Sequence, residues 1–119
     1  MSPEKAKVFV AEDDQDWQSI IKEYLEDAGH TVVAKATNIE DALATVAQLS
    51  QMGVDVAVLD SNLNDYESKG YDGQAVLRAI REKAPNVKTV GMSGNSVSGT
   101  DVDLGKRNAR DLGKVVKGL

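Results

Sequence analysis

A chain of 119 residues is long enough for one domain with one sizeable core, and 41% apolar and 28% charged residues are ordinary for a soluble globular protein. The net charge of −5 speaks against a nucleic-acid footprint, which needs a clustered basic face; the lack of cysteine excludes disulfides, thiolate catalysis and cysteine–zinc sites, and a lone histidine, His30, excludes a histidine-rich metal site. No apolar run is long enough to span a membrane, and the polar start MSPEKAK leads straight into a strand, so a cytoplasmic protein without membrane insertion is expected.

KVFVA (Lys7–Ala11) is a continuous apolar run, as in a strand covered on both faces. Trp17, Ile20, Ile21, Tyr24, Leu25 and Ala28 follow at helical spacing, and Gly29 stops the pattern as a C-cap does. HTVVAKA (His30–Ala36) reads as a second strand, with His30 in a structural role at the helix–strand turn. Asn38 caps a second helix whose apolar face is Ile39, Ala42, Leu43, Val46 and Leu49. VDVAVLD (Val54–Asp60) is the third strand. Asp72 caps a third helix carrying Val76, Leu77 and Ile80, ended by Pro85. VKTVGMS (Val87–Ser93) is the fourth strand, and a short fifth around Val102–Leu104 precedes a last helix with Leu112, Val115, Val116 and Leu119. No linker, repeat or low-complexity segment appears, so residues 1–119 read as a single domain with no output domain.

Strands alternating with helices imply an α/β fold with a parallel sheet and helices on both faces. In such sheets function gathers at the carboxyl ends of the strands, where the strand order reverses. Glu12, Asp13 and Asp14 follow strand one; Asp60 ends strand three; Ser93 ends strand four; Lys106 lies just past strand five. If strands one and three are neighbours, Glu12, Asp13 and Asp60 converge. Like charges so placed repel, and a hard divalent cation resolves the repulsion. Oxygen ligands without histidine or cysteine suit Mg²⁺.

VFVAEDD (Val8–Asp14), VAVLD (Val56–Asp60), GQAVLRAIR (Gly73–Arg81), VGMSG (Val90–Gly94) and DVDLGK (Asp101–Lys106) occur in this order with suitable elements between them. Over essentially its whole length the chain resembles the receiver domain of two-component response regulators. The resemblance implies a single doubly wound five-stranded sheet of order 2-1-3-4-5, and phosphorylation of an aspartate by a histidine kinase or histidine phosphotransfer protein. It implies Glu12 and Asp13 as the acidic metal-binding pair, Asp60 as phospho-acceptor and metal ligand, Ser93 as switch hydroxyl and Lys106 as phosphate contact. A carboxylate attacking a phosphoryl group is an anion approaching an anion, so positioning and charge neutralisation dominate. Two acids, the nucleophile, Mg²⁺ and one lysine sum to zero charge before phosphate arrives. Asp14 reads as a cap or outer shell, and Trp17 as a packing residue near the acidic loop.

Three features depart from the family pattern. SNLNDYESKGYDG occupies thirteen positions from Ser61 to Gly73, several more than usual, and contains no proline. Asp103 stands where strand five commonly carries an aromatic residue. Twelve residues separate Ser93 from Lys106, leaving no room for a normal fourth helix, so Gly94–Thr100 is expected to form a loop in its place; the short interval also makes Lys114 a competitor for the phosphate contact. The chain is expected to act as a stand-alone receiver rather than an enzyme, passing its signal to a downstream protein partner or along a phosphorelay. The alternative is a receiver-like interaction module independent of phosphorylation. A small-substrate phosphotransferase is disfavoured, because Asn62 stands where a second acid would be needed two residues after Asp60.

Overall fold

A computed structural model describes residues 5–60, 71–92 and 99–119, with residues 71, 72 and 106 described in their main chain alone. Along β1 (Lys7–Ala11) successive side chains alternate between two faces, and both faces are buried. Val8 and Val10 join one core with Val56 and Val58 of β3 (Val56–Leu59), whereas Phe9 and Ala11 join the other with Ala57 and Leu59. Helices must therefore cover both sides. The first core is closed by α1 (Gln15–Asp27), a 3₁₀ helix (Lys106–Asp111) and α5 (Leu112–Lys117), through Ile21, Leu25, Ala109, Leu112 and Val116. The second is closed by α2 (Ile39–Val46), the single turn α3 (Leu49–Met52) and α4 (Tyr71–Lys83), through Ala42, Val46, Leu49, Val76, Leu77 and Ile80.

With β2 (Thr31–Ala36), β4 (Lys88–Gly91) and β5 (Val102–Asp103), the strands form one parallel sheet of order β2-β1-β3-β4-β5, the doubly wound fold that the alternation implies. Between β1 and β2 the register slips by one residue: Val8 lies opposite Val32, but Phe9 lies opposite Ala34. The extra residue moves Val32 and Ala34 to opposite cores, which unbroken alternation would not allow.

Local chemistry accounts for most boundaries. Asp14 caps α1, accepting from the N–H groups of Asp16 (2.8 Å) and Trp17 (3.2 Å), and Asn38 caps α2 by accepting from Asp41 N–H at 2.8 Å. Gly29, at φ 92°, lets the chain leave α1 in a left-handed turn. Three expectations need correction, and one element was not anticipated. The buried line of α1 is Gln18, Ile21 and Leu25, and Ile20 is exposed; Trp17 and Tyr24 are half-buried at its flank and pack against the same core, as expected of Trp17. Leu43, assigned to the buried face of α2, is exposed. Asp72 lies inside α4, which already starts at Tyr71. Residues 106–111 form a 3₁₀ helix ahead of α5. The stretch 61–70 and residues 93–98, on which the long-loop and missing-helix expectations fall, lie outside the described residues.

Candidate functional site

The parallel register sets Ala11 opposite Leu59, so the chain leaves β1 and β3 side by side. Asp60 N–H donates to Ala11 O at 2.9 Å, Glu12 N–H to Ala36 O at 3.0 Å and Met92 N–H to Leu59 O at 2.8 Å, fastening four strands at their carboxyl ends. Glu12 and Asp60 are 1% and 4% exposed, and Asp13 is half-buried. One carboxylate oxygen from each of Glu12, Asp13 and Asp60 lies within 4.8 Å of the other two. Three carboxylates so placed repel one another, and two are largely withdrawn from water, so the arrangement favours a cation. The donor set is all oxygen and all anionic, which fits a hard divalent ion such as Mg²⁺.

Side chains from α1 hold this corner. Gln18 is buried, and its amide nitrogen donates to Glu12 O (3.0 Å) and Ala36 O (2.9 Å), with a longer contact to Val10 O (3.4 Å). It ties the ends of β1 and β2 together where the ladder stops. Asp14 N–H reaches Glu12 Oε1 at 3.4 Å while its own carboxylate caps α1. The acidic loop is thus clamped between sheet and helix. Sequence reading missed Gln18. Its only signal is a polar residue three before Ile21 and seven before Leu25, on the buried line of the helix.

The remaining expected positions divide. Ser93 lies outside the described residues. Lys106 is described in its main chain alone; that main chain follows Leu104 and Gly105, whose N–H groups both donate to Gly91 O (2.9 and 3.0 Å), placing it at the carboxyl edge of the sheet. Gly105 has φ 75°, a turn that suits glycine. Lys114 is exposed on α5. His30 is buried and structural: its Nδ1 accepts from Ala6 N–H at 2.9 Å, which leaves Nε2–H to donate to Gly113 O at 3.0 Å.

A second polar cluster went unassigned in the sequence. Asp101 Oδ2 accepts from both the N–H (2.8 Å) and the hydroxyl (3.0 Å) of buried Thr89, and Asp101 N–H returns a bond to Thr89 Oγ1 at 3.0 Å. Arg81 adds an ion pair to Asp101 at 3.5 Å and donates to Gly99 O at 3.2 Å. Partial burial alone would raise the Asp101 carboxyl, but the Thr89 bonds and the Arg81 charge outweigh it and hold the group below the usual carboxylate value.

A family model for the response regulator receiver domain matches residues 8–114. The chain belongs to the receiver family. Receivers are modules of two-component signalling controlled by phosphorylation rather than conventional enzymes, and they bind Mg²⁺ at an acidic cluster; an acidic group of Glu12, Asp13 and Asp60 is present here. No curated protein matches. Among solved structures, the chain is similar to a CheY-like receiver from Methanospirillum hungatei JF-1 (22% identity, TM-score 0.77, covering 96% of this chain and 92% of that one). It is also similar to the beryllofluoride-activated receiver domain of DrrB (24% identity, TM-score 0.71, 96% of each chain). A third match is in the CheX–CheY–beryllofluoride–Mg²⁺ complex of Borrelia burgdorferi (17% identity, TM-score 0.64, 76% and 63%). At these identities the likeness speaks for the fold. Among the described residues, no helix is long and apolar enough to cross a membrane.

Proposed function

We propose that this receiver takes a phosphoryl group onto Asp60 from a phosphohistidine donor in a Mg²⁺-dependent reaction. The observation that carries the reading is the meeting of Glu12, Asp13 and Asp60 within 4.8 Å at the ends of adjacent strands. An Asp60 carboxylate oxygen attacks phosphorus in line; the P–N bond to the donor imidazole breaks, and its electron pair stays on that nitrogen. Glu12, Asp13 and Asp60 would hold Mg²⁺, which would supply positive charge against the entering phosphoryl oxygens. Gln18 and Asp14 keep the acidic loop at the sheet edge, so the nucleophile and the metal-binding acids need not be assembled on encounter. Lys106 contacts the phosphoryl group, and Ser93 donates to it once Asp60 is modified. The reading takes further support from similar receivers solved with beryllofluoride, one of them with Mg²⁺.

The donor is a histidine kinase or histidine phosphotransfer protein, and the signal leaves through a downstream protein partner or a phosphorelay in the cytoplasm. Intact mass after incubation with acetyl phosphate should show one phosphoryl adduct, lost with EDTA and absent in Asp60→Asn. A stable adduct on Asp60→Asn would overturn the site. No adduct on the wild-type chain from any donor would favour an interaction module independent of phosphorylation.

A further inference from the structure

β5 has only two residues, and the main chain of Lys106 follows it after Leu104 and Gly105. The strand is paired with β4 at Val90↔Val102 and Gly91↔Asp103, and further bonds to β4 flank that short ladder. Lys88 and Met92 donate their N–H groups toward β3, to Asp55 O (3.0 Å) and Leu59 O (2.8 Å), so the alternate residues Thr89 and Gly91 face β5. Gly91 O is taken by Leu104 and Gly105. Thr89 N–H meets no β5 carbonyl; the carboxylate of Asp101 takes it instead, at 2.8 Å. Asp101 N–H and Thr89 Oγ1 close the ring, and Arg81 reaches from α4 to Asp101 and Gly99 O. A side chain here does the work of a missing strand residue.

We infer that Asp101 is a positioning residue for phosphoryl transfer: the Arg81–Thr89–Asp101 clasp fixes the start of β5, and through it the place of Lys106 relative to Asp60. The inference rests on the proposed function. Glu12, Asp13 and Asp60 follow β1 and β3; Thr89 lies opposite Ala57 of β3, but the bonds of the clasp run the other way, to Asp101, so their loss should spare metal binding and impair capture. A displacement of about 1 Å in a positioned group can lower a rate by up to about a hundredfold.

The test uses the whole chain, with Mg²⁺ affinity from calorimetry and the acetyl phosphate capture rate at saturating Mg²⁺ from intact mass. Asp101→Asn should keep Mg²⁺ affinity within about twofold and lose roughly tenfold or more in capture rate. Thr89→Val, which removes the bridging hydroxyl at nearly constant volume, should behave the same way, and Thr89→Ser should restore capture. The deciding measurement is a double-mutant cycle. Asp101→Asn in a Lys106→Met background should cost almost nothing more, because both changes act through the same lysine. Additive losses, or Asp101→Asn and Thr89→Val proteins that are folded and capture at the wild-type rate, overturn the inference while leaving the functional reading intact. Wild-type protein that takes up no phosphoryl group overturns both.

Discussion

Asp13 shows how a site competes with the fold that carries it. Its carboxylate is the most accessible of three that lie within 4.8 Å; at an effective dielectric near 20 two unit charges that close repel by about 3.5 kcal/mol, and solvent at the half-buried Asp13 screens part of it. Asp13→Asn should therefore raise the stability of the metal-free protein by about 1 kcal/mol while weakening Mg²⁺ roughly tenfold or more. Urea unfolding with EDTA and calorimetric titration read the two effects separately; a variant that loses both stability and metal would mean that Asp13 mainly supports the loop. Asp101 has the opposite balance. Its folded pKa lies below the unfolded value, so its contribution is present above the unfolded carboxylate range and is lost as pH falls through the lowered folded value. The gap in urea midpoint between wild type and Asp101→Asn should be constant above about pH 5 and close progressively below about pH 4. A gap that widened on acidification would reverse the assigned direction.

At the scale of elements, the α1–α5 contact is set by one missing methyl group. A Cβ on Gly113 would strike the Cβ of Ala28 and come within 3.2 Å of Tyr24 O, and neither is a flexible side-chain end that could swing aside. Gly113→Ala should cost about 1–3 kcal/mol, measured as a shift in urea midpoint at unchanged slope. Adding Ala28→Gly should recover part of the loss by vacating the colliding atom. The same carbonyl, Gly113 O, accepts from His30, which in turn receives Ala6 N–H, so the start of β1 and the start of α5 share one buried imidazole. If Gly113→Ala proved neutral, the helices would have to separate without disturbing that link.

For the whole molecule, the acidic corner belongs to one cooperative unit, because Glu12 and Asp60 are continuous with strands buried in both cores. A ligand that binds only the folded chain stabilises all of it, by about 2.7 kcal/mol at a hundred times its Kd. Mg²⁺ should thus raise the unfolding midpoint of wild type but not of Asp13→Asn, with matched NaCl as the control for screening. Trp17 offers a second readout. Its main-chain N–H donates to Asp14 Oδ1, and Asp14 N–H in turn approaches Glu12 Oε1. Mg²⁺ should change its fluorescence in a saturable way that Asp13→Asn abolishes; stabilisation by Mg²⁺ with a constant spectrum would place the ring out of reach of the loop.

How much of this was open to sequence reading follows the range of each interaction. Apolar runs and helical spacing are local, and they gave the element order and the parallel fold. Lys7–Asp14 and Val54–Asp60 show that acids follow both strands, but that β1 and β3 are neighbours came only from the family resemblance; given that order, Glu12, Asp13 and Asp60 must meet. Caps such as Asn38 act within three residues and were legible for the same reason. The face of α1 was not. Trp17, Ile20 and Tyr24 have helical spacing as good as that of Ile21 and Leu25, and only docking on the sheet decides which row is buried and puts the polar Gln18 into it. Likewise Arg81, Thr89 and Asp101 are separated by eight and twelve residues and share no periodicity. They become partners because β4 presents Thr89 N–H to an edge where a two-residue strand has no carbonyl to offer. Sequence periodicity settles what is apolar and where it repeats; which backbone groups are left for side chains to satisfy depends on where each strand ends against its neighbour, and tertiary packing alone decides that.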